Sequence, residues 1–176
     1  MNSFEYNINP SRVVFGSKSI NKLPDEIKRL ESSSPIILTS KGNSGKSHGE
    51  LLAKVLEDAS IPPAGILNMA VMHTPTSVTE QALHSLKSQD ADCIISIGGG
   101  SVVGLGKALS IRTGLKHICL PTTYSGSEMT PILGETDNGK KVTRSDLLDF
   151  RRQCNRPRSG ITIRQERQSD HKHACA

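Results

Sequence analysis

A chain of 176 residues has room for one ordinary domain, or one domain with a tail, and not for a comfortable two-domain enzyme. No Trp and only five Tyr plus Phe leave no aromatic platform for stacking single-stranded nucleic acid, and RNA binding is unlikely on that ground. The net charge of +5 belongs to one end: up to Phe150 there are 15 Lys plus Arg against 15 Asp plus Glu, and the excess lies entirely in residues 151–176.

Neither a signal-peptide pattern nor an apolar run of about 18 residues is present, so the expectation is a soluble, cytoplasmic protein with no membrane partner. Cys93, Cys119, Cys154 and Cys175 form no CxxC pair, which argues against disulfides and zinc. In chain order, alternation predicts short strands over Phe4 to Ile8 and Arg12 to Phe15, with a turn at Asn9 and Pro10. Ile20 to Leu30 follows as a helix burying Ile20, Leu23, Ile27 and Leu30, with Pro24 near its first turn. Pro35 to Thr39 is a continuous apolar strand of the kind buried on both faces. A helix over Ser47 to Ala59 uses Leu51, Leu52, Val55 and Leu56, and Gly65 to Val71 is another strand.

The next helix is expected to open on a capping box, Ser77 to Glu80, and to bury Val78, Ala82, Leu83 and Leu86. Cys93 to Ile97 is the most hydrophobic strand, followed by Gly98, Gly99 and Gly100, a helix from Ser101 to Thr113 that carries Lys107, and a strand over His117 to Leu120. Such alternation predicts an α/β fold: a Rossmann-like parallel sheet with helices on both faces, with ligands at the carboxyl ends of its strands. After the loop Pro121 to Met129, Asn138 and Gly139 mark a hairpin between Thr130 to Thr136 and Lys140 to Arg144.

We divide the chain into a dinucleotide-binding domain, residues 1–150, and a basic tail, residues 151–176. Only 6 of the tail's 26 residues are apolar, and such a segment is expected to be disordered. Asp170, His171 and His173 read as a solvated terminus rather than a metal cluster.

Chemistry concentrates at two places. A buried strand delivers Gly98, Gly99, Gly100 and Ser101 to a helix N-terminus, where phosphate oxygens can approach backbone amides and meet the positive end of the helix dipole. The expected ligand is a pyrophosphate, although Gly98, Gly100 and Gly104 fit GxGxxxG rather than GxGxxG and no acid follows about 20 residues on. The second place is Pro121 to Thr130, whose hydroxyls fall at the same sheet edge. A rival P-loop reading of Gly42, Gly45, Lys46 and Ser47 fails the Walker spacing, which wants Gly where Ser40 stands. Gly45 to Ser47 is instead expected to be a turn and helix start.

GGGS together with PTTYSGSEMT resembles the iron-containing alcohol dehydrogenase and glycerol dehydrogenase superfamily. FEYNINPSRVVFG, GGGSVVGLGKALSIRTGL and LPTTYSGSEMTPILGETDNGKKVT look more narrowly like its maleylacetate reductase branch. The resemblance runs from Phe4 to about Asp146. It implies an oxidoreductase that reduces maleylacetate to 3-oxoadipate with NADH or NADPH in aromatic-compound breakdown. It further implies that Gly98, Gly99, Gly100 and Ser101 hold the pyrophosphate, that Thr122, Thr123 and Ser125 line the nucleotide cleft, and that Thr130 and Lys141 finish the site. Gly104 stands where the metal-using relatives often have Asp.

The family's second, all-helical domain, which carries the substrate pocket and in metal-using relatives an Asp and three His, is expected after Asp146, where the basic tail stands instead. The expectation is therefore a truncated chain with no metal, negligible turnover and unidentified catalytic residues, as a shifted reading frame, retained intron or alternative end would give. Its expected partners are a dinucleotide, a small-molecule substrate only in a full-length relative, and a second copy as a homodimer. The alternative is a non-catalytic nucleotide-binding or interaction module with a basic tail.

Overall fold

The computed structural model describes residues 12–130, 132–144 and 160–165. The strand expected over Phe4 to Ile8, the His-containing terminus, Cys154 and Cys175 lie outside the described residues. Six parallel strands form one sheet: β1 (Arg12–Gly16), β2 (Pro35–Ser40), β3 (Gly65–Ala70), β4 (Cys93–Gly98), β5 (Lys116–Pro121) and, from the basic tail, β8 (Gly160–Gln165), in the order β1-β8-β5-β4-β2-β3. A separate antiparallel hairpin joins β6 (Leu133–Asp137) to β7 (Lys140–Arg144). Its turn residues Asn138 and Gly139 have φ of 46° and 75°, as a primed turn requires.

Alternate residues of the central strands face two cores. Ile37, Ile95, Ile97, Ile118 and Leu120 meet Leu23 and Ile27 of helix α1 (Leu23–Arg29) and Leu52 and Leu56 of α2 (Asn43–Asp58). On the other face Ile36, Leu38 and Ile94 meet Ala82 and Leu86 of α3 (Thr76–Lys87) and Val102, Leu105 and Leu109 of α4 (Gly100–Thr113). The expected Rossmann-like parallel sheet with helices on both faces is what the structure shows. A hydrophobic run, continuous over Ile36 to Leu38 in β2 and broken only by Ser96 in β4, is what a strand covered on both sides demands.

Several local expectations are corrected. The first helix divides into a 3-10 turn, Ser19–Lys22, and α1, which begins one residue before Pro24. Helix α2 starts at Asn43 rather than Ser47, because the chain leaves β2 through Gly42 at φ 109° and turns at once. Leu51 faces solvent, 55% exposed, while Leu52 and Leu56 take the core. The capping box does not form: α3 begins at Thr76 and has no side-chain cap. The Pro75 carbonyl accepts the Val78 and Thr79 amides instead. Pro75 is held in place by a bridge to Thr136 of the hairpin, and the Thr79 hydroxyl turns inward toward Glu135 at 3.3 Å.

The largest correction concerns the tail. Residues 160–165 are ordered as β8, inserted between β1 and β5 with Ile161 opposite Arg12 and Ile118. Averaging over 26 residues concealed that both of the tail's isoleucines fall in the β-favouring run Ile161, Thr162, Ile163. Ile163 is 1% exposed and belongs to the core beneath α1 and α2. The edge strand β1 is also tied to that layer, since Arg12 Nε and Nη2 each donate to a Glu26 carboxylate oxygen at 2.8 Å. That hydrogen bonding holds the Glu26 carboxyl below its ordinary range against the opposing effect of burial.

Between α4 and the sheet, Ser96 Oγ lies 2.8 Å from His117 Nε2 and donates to the Val102 carbonyl at 3.3 Å. With its one proton so placed, the hydroxyl accepts from Nε2–H, which puts a ring proton on Nε2. Burial, and secondarily the charge of Lys107, pushes the His117 pKa down to about 3.

Two outcomes follow from this architecture. Ile163→Ala should cost about 2–4 kcal/mol in urea unfolding if β8 is part of the sheet, whereas a solvated tail would leave the midpoint unchanged. His117 takes a proton near pH 6.5 only when unfolded, so stability should fall by up to about 1.4 kcal/mol per pH unit as pH drops below that value. His117→Gln should show a shallower loss between pH 7 and 5; an identical slope in both proteins would remove His117 as its source.

Candidate nucleotide site

Strands β4 and β5 end side by side: Gly98 pairs with Pro121, and the Thr122 amide donates to the Gly98 carbonyl at 2.9 Å. The loops leaving the two strands therefore rise from one point of the carboxyl edge. Gly98 has φ of 154°, and a Cβ there would stand 2.5 Å from Val102 Cγ2, so conformation and space both require glycine. Gly99 is the N-cap of α4, with its carbonyl accepting the Val102 and Val103 amides at 3.0 and 3.2 Å. The amides of Gly100 and Ser101 precede the first intrahelical bond and are directed out of the helix start. No acidic side chain stands in that first turn to compete with an anion for the dipole.

The hydroxyl loop closes over this turn. A Cβ on Gly99 would lie 3.3 Å from Thr123 Oγ1, and one on Gly100 would lie 3.2 Å from Ser125 Oγ. The gap is one that a side chain on either glycine would fill. Thr123, Tyr124 and Ser125 remain exposed, as does Thr130, which follows the 3-10 turn Ser127–Met129. Gly126, at φ 75°, makes the bend that returns the loop toward α4.

The structure thus brings together Gly98, Gly99, Gly100, Thr122, Thr123 and Ser125, with Ser101 in the first turn of the same helix. Thr130 is joined to them through its loop. Lys141 lies elsewhere, exposed on β7 opposite Thr136, with its Cε 3.6 Å from the position of a Gly134 Cβ.

Residues outside that set support it. Lys107, almost two turns along α4, is 8% exposed and donates to the carbonyls of Ser127, Thr130 at 2.7 Å and Ile132 at 3.0 Å. Burial lowers its pKa, with Cys119 and Glu128 acting in the opposite direction. Arg112 Nη2 reaches both oxygens of buried Glu135 at 3.0 and 2.9 Å, fastening β6 to α4. Thr74 lies where a Cβ on Gly104 would come within 2.8 Å of its hydroxyl, so the glycine at 104 admits that loop. Sequence reading placed Lys107 on the helix without giving it a partner, because carbonyl acceptors leave no mark in composition or spacing.

The P-loop-like segment has a different explanation. A Cβ on Gly45 would fall 1.8 Å from the Ser40 carbonyl oxygen, so glycine is needed for α2 to pass over the end of β2. Asn68 Nδ2 donates to Thr39 Oγ1 at 2.8 Å and to the Ser40 carbonyl, fixing the same crossing. Lys46 is turned to solvent, 3.9 Å from Glu50.

Comparison with known proteins places the fold in a family. Residues 10–152 match the family model "Iron-containing alcohol dehydrogenase". Maleylacetate reductase from Rhizobium sp. (strain MTP-10005) is 44% identical over 143 residues, 81% of this chain and 39% of that protein. Maleylacetate reductase 1 from Rhodococcus opacus is 42% identical over 144 residues, 82% of this chain and 39% of its own length. The crystal structure of maleylacetate reductase from Agrobacterium tumefaciens superposes with a TM-score of 0.78 at 39% identity, covering 94% of this chain and 43% of that one. Sulfoacetaldehyde reductase from Bifidobacterium kashiwanohense, solved in complex with NAD+, shares the fold at a TM-score of 0.75 and 18% identity, covering 93% of this chain and 46% of its own. The chain spans about two-fifths of the length of the curated relatives it matches. With its parallel sheet, glycine turn and matched residues, the chain belongs to the iron-containing alcohol dehydrogenase family.

Proposed function

We propose that this chain is the dinucleotide-binding part of an oxidoreductase of the maleylacetate reductase type. The observation that carries the reading is the facing of two loops across the α4 N-terminus, where Thr123 and Ser125 come so near Gly99 and Gly100 that a side chain on either glycine would press on them. A pyrophosphate accepts hydrogen bonds from the Gly99, Gly100 and Ser101 amides and is favoured by the helix dipole. Thr122, Thr123 and Ser125 supply hydroxyls for phosphate, ribose or carboxamide, and Thr130 follows on the same loop; Lys141, apart on β7, joins the cofactor-binding set through the family resemblance alone.

The cofactor is NADH or NADPH, which when bound supplies the hydride that reduces the carbon–carbon double bond of maleylacetate to give 3-oxoadipate. The chain's own groups bind and orient it. Among the described residues no group of three or more His, Cys, Asp or Glu side chains could hold a metal ion, so they offer no seat for the iron in the family's name. No helix among them is long and apolar enough to cross a membrane. We place the protein in the cytoplasm, with a dinucleotide as its partner and a small-molecule substrate in the full-length relatives.

Titration with NADH and NADPH, followed by nicotinamide fluorescence, tests the assignment. Gly99→Asp sets a carboxylate against the pyrophosphate and should weaken binding at least tenfold, about 1.4 kcal/mol. Unchanged affinity would sink the glycine-turn assignment. Lys46→Ala should leave the affinity within twofold of wild type; its loss, together with ATP binding by the wild-type chain, would move the nucleotide to the Ser40 to Ser47 segment.

A further inference from the structure

We propose that Lys107 is a positioning residue for the nucleotide site, its buried ammonium drawing the 122–130 loop onto the glycine turn through the carbonyls of Ser127, Thr130 and Ile132. The inference rests on the nucleotide reading above and adds to it the device that sets the width of the cleft.

Gly100 and Lys107 are seven positions apart on α4 and share a face. Over that face lies the returning loop: a Cβ at Gly100 would meet Ser125 Oγ at 3.2 Å and Ser127 Cβ at 3.9 Å. About two turns further, the Lys107 ammonium takes the Ser127 carbonyl and then two more from the segment leading into β6. All three of its N–H donors can be used this way. Ser125 and Ser127 are thus held at a fixed height above the glycines by a cation rooted in the same helix. Helix α4 supplies one wall of the cleft and the anchor of the other.

Stability alone does not account for such a group. Burying an ammonium against carbonyls, with the buried Glu128 carboxylate acting on it as well, costs desolvation that an apolar side chain of similar volume would avoid. An apolar side chain would fill the space under the loop, yet it would take the ammonium from the Thr130 and Ile132 carbonyls, leave the Ser127 carbonyl only its bonds from Thr130, and free the loop to lift. The ammonium exchanges some stability for a defined loop position.

The test compares Lys107→Met, Lys107→Ala and Ser110→Ala. Ser110 bonds the Leu115 carbonyl at 2.6 Å near the far end of α4 and controls for general weakening of the helix. Amide exchange over 122–130 is measured without nucleotide, and NADH affinity is measured by fluorescence on variants whose circular dichroism remains that of wild type. Lys107→Met should raise both the loop exchange rate and the NADH Kd at least tenfold, while Ser110→Ala changes neither by more than twofold. In Lys107→Ala, n-propylammonium should restore most of the affinity and n-propanol should not.

Affinity within twofold of wild type in Lys107→Met would overturn the proposal. So would a loss that Ser110→Ala reproduces, or one that the amine and the alcohol relieve equally. Failure of the wild-type chain to bind NADH or NADPH would overturn the nucleotide reading and this inference with it. The exchange rates, which need no nucleotide, tell that failure apart from failure of the tether.

Discussion

At Gly106 a Cβ would stand 2.2 Å from Ser96 Oγ and 2.3 Å from His117 Nε2, so α4 lies as close to β4 and β5 as a helix without a side chain permits. That closeness conditions much of the rest. It encloses the Ser96 and His117 pair in a dry layer where the ring stays neutral, and it brings the helix start directly over the end of β4. The same approach recurs at Gly98 and Gly104, where Val102 and Thr74 fill the space a side chain would need. A helix seated this low points its first amides along the carboxyl edge of the sheet, where β4 and β5 have just released their loops.

The two cationic side chains of α4 then act on what crosses that edge. Lys107 engages the 122–130 loop and Arg112 engages the hairpin, the latter through a two-bond contact with a buried carboxylate. Both bonds run from a rigid element to segments with little core of their own, which is where charge-assisted hydrogen bonds have most effect on position. The hairpin in turn holds Pro75 and draws Thr79 inward, so the start of α3 depends on it as well.

Much of this was legible in the sequence. The apolar run Ile36 to Leu38 and the strongly hydrophobic Cys93 to Ile97 announced doubly covered strands, and Asn138 with Gly139 announced the hairpin. The glycine turn and the hydroxyl loop could be paired because adjacent parallel strands end at one edge. What escaped were features set by contacts distant in sequence. Ser77 satisfies a capping pattern, yet the chain enters α3 through Pro75, whose position the hairpin fixes. Leu51 satisfies a helical stripe, yet the start of α2 at Asn43 turns it to solvent. The strand at Gly160–Gln165 was diluted by its basic surroundings, since a bulk composition cannot reveal a single favourable hexapeptide. Lys107 escaped because main-chain carbonyls, its partners, are the same at every position.

The placement of β8 bears on how the chain acquires its fold. Strand β1 sits at the sheet edge and pairs with β8, Arg12 opposite Ile161, nearly the longest loop the described chain can close. Closing it requires a large entropic cost before any ladder bond rewards it, so this corner of the sheet should form after β2 to β5 have assembled. During synthesis β1 leaves the ribosome well before β8 and must wait, its Val14 without the Ile163 partner it has in the core, until residue 165 has followed it out. In that interval the β5 edge is open, and a strand from another nascent chain could occupy the place meant for β8.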